Sequence, residues 1–506
     1  MACLQLLLPL MVSCVAASER PPRQLPACQV VQMDVFCSDL SLRSAPVDLP
    51  HGVRMLDLSL NQVQNLSQET LAFQNGFHHL NLRANKIHFI QPGLFKDMTD
   101  LRVLDLSRNH LNVFAHAKIN IGPLTAVESL DLSNNGLYTG MSDYFLADSP
   151  SLMDLSLNGN SITKIAHNTF SGSSSLRRIS LHNNVILEIE DGAFEFLDHL
   201  TELDFSKNSI TCITDFNLCN LKVLNLSKNS VEFFHSAASM SLTFGENTLP
   251  SLEKLFLQGN DLTTLDHGIF QRLPSIKHLH LQQNDLKICS SENEPQDCVS
   301  FSSIPTLQFL NLSENYLMIL PANAFANTSL KLLDLSLNPG LEMDKDSLSG
   351  LEHTLIHLLL KENNISSLNT DLSSLKSLKH IDLSTNQLTN IPVWSKDSSI
   401  ESLNLQNNNL VTLKYSSMLA LEHSLKTLYM GSNPLSCCSN LDFLQMVQRS
   451  AVVVPDIETV TCVHEEYSEP VNIEKVVIAL VLLIAMALLV RYCLARKRKH
   501  IRSFTA

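Results

Sequence analysis

The sequence is poor in the signals that mark an enzyme or a nucleic-acid binder. It has no Gly-x-Ser-x-Gly, no His-Glu-x-x-His and no phosphate-cradling glycine loop, so the chemistries those motifs carry are not expected. No catalytic residue, metal ligand set or cofactor is assigned. Aromatic residues are scarce, at 6% against 44% apolar. The apolar content is therefore mostly leucine and its relatives, which suits a core built from many like layers. Positive charge is scarce too: 36 Lys and Arg stand against 50 Asp and Glu, for a net charge of −14. Six of the basic residues (Arg491, Arg496, Lys497, Arg498, Lys499 and Arg502) sit in the last 16 positions, which hold no acid. The remainder lacks the clustered Lys and Arg that phosphate binding needs, and nucleic acid is excluded as a partner.

Two hydrophobic segments set the expected compartment. Residues 4–17 are apolar and end in Val15, Ala16 and Ala17, small residues of the kind that precede a signal-peptidase cut, so residues 1–17 read as a secretory signal. Residues 476–490 are uncharged and apolar. Arg491 can reach back to the headgroups, which extends the expected transmembrane helix to 476–495. The basic tail, 496–506, is then the cytoplasmic flank. The expected topology is type I and single-pass, at the cell membrane, with the N-terminus extracellular.

Between these ends the chain repeats. Aligned on Leu-x-x-Leu-x-Leu-x-x-Asn-x-Leu, the ninth position falls at Asn61, Asn85, Asn109, Asn135, Asn160, Asn184, Asn208, Asn229, Asn260, Asn284, Asn315, Asn338, Asn363, Asn386, Asn408 and Asn433. These are the marks of leucine-rich repeats, sixteen of them over residues 53–435. The expected fold is an α/β leucine-rich-repeat solenoid (a horseshoe) with short parallel strands on its concave face, their leucines pointing inward. The turn after each strand carries backbone groups that cannot reach water. An Asn side chain both donates and accepts, so the Asn column is read as structural. Phe170 and Phe194 are expected to fill the convex side.

A solenoid end leaves an open leucine face and needs a cap. Cys28 and Cys37 lie before the first repeat, in an N-terminal cysteine cap over residues 26–52. Cys437, Cys438 and Cys462 lie in a C-terminal cap over residues 436–470. The repeats that begin at Leu221 and Ile276 are long. One holds the polar stretch 236–250. The other holds Cys289 and Cys298, expected to close a local disulfide loop; such bonds fit an oxidising compartment.

In place of chemistry the repeats offer a surface. The positions that flank the strand leucines face outward on the concave side and read Arg177, Arg178 and Ser180 in one repeat, then Thr201, Glu202 and Asp204 in the next. That change of character along the array is expected of a face contoured to a large partner. His278 and His280 share this face without a third ligand for a metal. Sequons occur at Asn65, Asn225, Asn311, Asn327 and Asn364. Glycans at Asn225 and Asn311 would block part of the concave face, leaving a partner the flanks, edges or convex side near those repeats. Of the 12 cysteines, nine are expected outside the cell. After the pairs above, Cys212 and Cys219 are left in mid-array and the C-terminal cap has three, so at least one thiol is unpaired or pairs between chains. Cys212 should point outward; a local bridge to Cys219 is the alternative.

The stretches 132–140, 188–195, 209–216, 298–303, 333–341 and 433–438 resemble, in order, the GARP family (glycoprotein A repetitions predominant), cell-surface leucine-rich-repeat carriers of latent TGF-β. The resemblance extends to positions outside the repeat consensus. It implies anchoring of the latent TGF-β prodomain through disulfides, and Cys212 matches the first of the family's two linking cysteines by its surrounding motif. The array is several repeats shorter than the family's, and the second linking cysteine has no counterpart unless Cys219 takes its place. The partner so implied is a secreted, latent growth-factor prodomain, disulfide-linked, held by a membrane-embedded carrier. Other readings of the repeats are a cell-adhesion protein, or a pattern-recognition receptor like the Toll-like receptors without its own signalling domain.

Overall fold

The computed structural model describes residues 28–112, 122–140, 146–211, 218–229, 249–265, 268–289, 298–302, 304–413, 418–436 and 439–463. The expected signal, membrane span and tail, with Cys212, Cys437, Cys438, the stretch 236–248 and the interior of the Cys289–Cys298 loop, lie outside these residues. Among the described residues no helix is long and apolar enough to cross a membrane. The chain divides into two compact units. One comprises residues 1–363 and 369–371, the other residues 364–368 and 372–506.

In the first unit, three-residue strands pair side by side in parallel, from Asp34–Phe36 and Met55–Asp57 to Leu332–Asp334 and His357–Leu359. The register repeats without slippage, so that Leu155, Ile179, Leu203, Leu224 and Leu255 stand opposite one another on successive strands. The central residue of each strand is buried and the two beside it are partly exposed. A strand has a side-chain period of two, so the leucine at this position and the one two residues later, such as Leu155 and Leu157, both enter the core. Full burial of each contributes about 1.5–3 kcal/mol, and each layer packs only on its neighbours.

The Asn column works as its chemistry requires. All sixteen ladder asparagines are buried. Asn160 is representative. Its Nδ2 donates to the carbonyls of Leu132 and Leu157 at 3.2 and 2.8 Å, and its Oδ1 accepts from the N–H groups of Asn135 and Leu137 at 3.0 and 3.1 Å. One side chain thus satisfies its own turn and that of the coil before it. The backbone immediately before the Asn is left-handed throughout, with φ of +57° at Leu60, +53° at Lys207 and +55° at Thr385.

The return side of the coils is made mostly of turns. A repeat of about two dozen residues leaves too few for a long helix between strands. Short parallel pairs bind neighbouring coils there, including Asn65–Leu66 with Phe89–Ile90 and Lys164–Ile165 with Glu188–Ile189. Phe170 and Phe194 are buried and stack at 5.7 Å. At the N-terminal end the strand Gln29–Val31 turns back antiparallel on Asp34–Phe36, tied by the Cys28–Cys37 disulfide. Val35 and Cys37 are buried against the first coil, and Asn61 accepts from the N–H groups of Leu40 and Leu42.

The second unit continues the pattern through His380–Asp382, Ser402–Asn404 and Thr427–Tyr429. Its end holds the helix Leu441–Arg449 and a parallel pair, Leu435–Ser436 with Cys462–Val463. Asn440 is buried and bonds to the carbonyls of Val411 and Ser436 and to the N–H of Leu413. It adds to the polar column a rung that the repeat consensus does not predict.

Candidate binding face

The solvent face of the first unit's sheet is built from the residues that flank each strand's buried centre. Over Ser129–Asp131, Asp154–Ser156, Arg178–Ser180 and Glu202–Asp204 they form a shallow depression of about 450 Å³, closed at its far end by Val223, Asn225 and Phe256. Arg178 lines it and pairs with Asp154: its Nη2 donates to Oδ2 at 2.7 Å, and its Nε stands 2.5 Å from Oδ1 as an ion pair. Asp154 and, at longer range, Glu202 raise the Arg178 pKa further above its usual range. Asp131 and Asp204 do not project freely. Each carboxylate accepts the N–H and hydroxyl of a serine two residues on, Ser133 or Ser206. These bonds close the turn that ends the strand. The acids of the depression outnumber its single arginine, which makes it a polar, net-negative seat.

Two rungs further on the chemistry changes. Phe256, His280 and Phe309 come from successive strands and stack together. Phe256 and His280 lie with ring centres 4.4 Å apart and planes 15° from parallel; His280 and Phe309 are 4.6 Å apart. Burial, with help from the neighbouring His278 and Lys254, lowers the His280 pKa to about 4. His280 is therefore a neutral ring near pH 7. Desolvation also lowers His278. Among the described residues no cluster of His, Cys, Asp and Glu could hold a metal ion.

The residues singled out from sequence are dispersed. Arg178, Ser180, Glu202 and Asp204 line the polar depression, whereas Arg177 and Thr201 line a separate hollow with Asp198, His199 and Lys222. Asn225 and Asn311 lie on the same face, half-buried at the ends of Val223–Asn225 and Phe309–Asn311. Asn65, Asn327 and Asn364 are exposed elsewhere. Cys289 and Cys298 form a disulfide. Cys219 is exposed, and Cys462 lies in the strand paired with Leu435–Ser436. The three-ring stack was missed. Its members are 24 and 29 positions apart and meet only once the strands are placed in register.

The leucine rich repeat family matches residues 51–111, 125–186, 174–231 and 246–292. Together with the strand ladder and the Asn column, this defines a leucine-rich-repeat protein of binding or receptor type rather than an enzyme. Transforming growth factor beta activator LRRC32 of Mus musculus is 30% identical over 597 aligned residues, covering 90% of this chain and 90% of its own length. The chain belongs to the family of that protein, LRRC32 or GARP. Transforming growth factor beta activator LRRC33 of Danio rerio is 26% identical, over 77% of this chain and 57% of its own. Of solved structures, a leucine-rich-repeat protein of Leptospira interrogans superposes with a TM-score of 0.52 at 23% identity, covering 81% of this chain and 97% of that one; this likeness concerns the fold alone.

Proposed function

We propose that this chain holds a latent growth factor of the TGF-β family at the cell surface, as a non-enzymatic carrier. The observation that carries the reading is family membership along most of the chain: relatives named as transforming growth factor beta activators match 77% to 90% of its length. The solvent face supports it, because its polar depression and aromatic stack lie on successive strands of one sheet and so offer a large partner more than one kind of contact. The signal at 1–17, the span at 476–495 and the basic tail supply the anchor in this reading. Attachment is through one disulfide from Cys212 to the prodomain. A disulfide resists pulling, which suits a ligand freed by force on its prodomain, and a single bond leaves the partner free to pivot.

The test is co-expression of the full chain with a TGF-β proform, read on non-reducing gels. A high-mass band containing both proteins is expected. It should vanish with Cys212→Ser, survive Cys219→Ser and collapse on reduction. Absence of the band, together with absence of the proform from immunoprecipitates of the chain, overturns the carrier reading. Peptide mapping that joins Cys212 to Cys219 overturns its covalent form.

A further inference from the structure

The aromatic stack on the solvent face sits between two sequons. Along one row of the sheet the register places Asn225 opposite Phe256, Phe256 opposite His280 and His280 opposite Asn311. Strands lie about 4.8 Å apart, so each asparagine is one rung from a stacked ring. Both asparagines begin the sequence Asn-Leu-Ser. In each, the side-chain Oδ1 is already committed. Asn225 accepts the N–H and hydroxyl of Ser227, at 3.1 and 2.8 Å, and Asn311 accepts the N–H of Ser313 at 2.9 Å. The Nδ2, which would bear a sugar, is the other arm of that amide. Both sequon serines are buried in the folded chain, so a glycan at either position must be added before its coil closes. Afterwards it is fixed to the sheet beside the rings.

Beyond its three members the stack meets one further ring, His278, 5.7 Å from Phe309. Phe256, His280 and Phe309 are each only half-buried, although aromatic rings of this size ordinarily supply core energy. One face of Phe256 is taken by His280, and the opposite face looks along the row toward the rung of Asn225. A pyranose ring has an apolar face of C–H bonds with a small positive charge, and an aromatic face is negative. The two are complementary in shape and in sign, and His280, neutral near pH 7, adds no charge that would hold water there.

We propose that the Phe256–His280–Phe309 stack is the seat of the protein's own N-linked glycans, with the first sugars on Asn225 and Asn311 lying against these rings from either side. The attached sugars close the aromatic part of the face, and the one on Asn225 also covers the near end of the depression around Arg178, which Asn225 and Phe256 line as well. The occupant is already tethered, so it pays almost none of the association entropy that a free ligand would.

The experiment uses the full chain from a secretory expression host. Site-resolved mass spectrometry gives glycan occupancy at Asn65, Asn225, Asn311 and Asn327, and a timed digest of the native protein with peptide N-glycosidase gives release rates. Occupancy of Asn225 and Asn311 is expected, with release from both about ten-fold slower than from the exposed Asn65 and Asn327. Phe256→Leu, which keeps an apolar strand residue, should speed release at Asn225 to the control rate and leave Asn65 unchanged. If that variant unfolds by circular dichroism, His280→Gln is read in its place and should speed release at both sites. Lack of a glycan at either Asn225 or Asn311 overturns the proposal, and the stack is then an open surface for a protein or a soluble carbohydrate. Release at the control rate in the unsubstituted protein overturns it equally.

Discussion

Replacement of Asn160 by alanine isolates what the polar column contributes. Asn160 is buried, and its removal leaves the N–H groups of Asn135 and Leu137 without their acceptor and takes one of two donors from the carbonyls of Leu132 and Leu157, which keep the Nδ2 groups of Asn135 and Asn184. A neutral hydrogen bond contributes about 0.5–1.5 kcal/mol net, and a buried group left unpaired costs about 1–3 kcal/mol. Four bonds with partial entry of water give an expected loss of about 2–4 kcal/mol. Asn81 is the control. It too is an asparagine of the first unit, but it is half-exposed at the end of His79–Asn81, and its Oδ1 receives only the N–H of Arg83, at 3.1 Å. Asn81→Ala should cost about 0.5–1 kcal/mol by the same rule. Equilibrium urea denaturation gives the totals. Hydrogen exchange at residues 135 and 137 locates the damage, since repeat arrays open locally. The account of the column is refuted if Asn160→Ala costs no more than Asn81→Ala, or if protection at 135 and 137 is unchanged.

Thr385 is a β-branched residue held at φ +55°, a conformation that costs a non-glycine residue about 1–2 kcal/mol. Thr385→Asn, which tolerates it better, should stabilise the second unit by about 0.5–1 kcal/mol in thermal or urea unfolding. At Gly172 a Cβ would run into the backbone carbonyls of Ala147 and Leu146, so Gly172→Ala should destabilise by about 2 kcal/mol or more in the same assay. His280 is depressed from 6.5 to about 4 in the folded chain. The unfolded chain therefore binds more protons between those values, and stability rises with pH across the window. Urea midpoints from pH 4 to pH 7 should show a rise that His280→Gln removes, on the order of 1 kcal/mol after discounting for the half-exposed ring.

The repeat was legible because it is written in one-dimensional spacing. A leucine at a fixed offset from an asparagine reports a strand, its inward face and its turn. The left-handed residue before each ladder Asn was not legible. Leu60, Lys207, Glu314 and Thr385 share no chemistry, and the turn is imposed by the Asn bonds on either side rather than by the residue that adopts it. Asn440 escaped because it lies seven residues past Asn433, outside the period. The solvent face was legible rung by rung, as with Arg178 and Glu202. Its lateral groupings were not: Asp154 with Arg178, or Phe256 with His280 and Phe309, depend on register across long loops of unequal length.

The central claim is that this chain keeps a latent growth factor on the cell. The most direct measurement is the amount of TGF-β prodomain on intact cells, by flow cytometry with an antibody to the prodomain. Cells are transfected with the proform alone, with the proform and the full chain, or with the proform and the chain cut before residue 476. Prodomain at the surface is expected only with the full chain, and with the cut chain it should appear in the medium together with the ectodomain. Equal surface signal with and without the full chain would contradict the account.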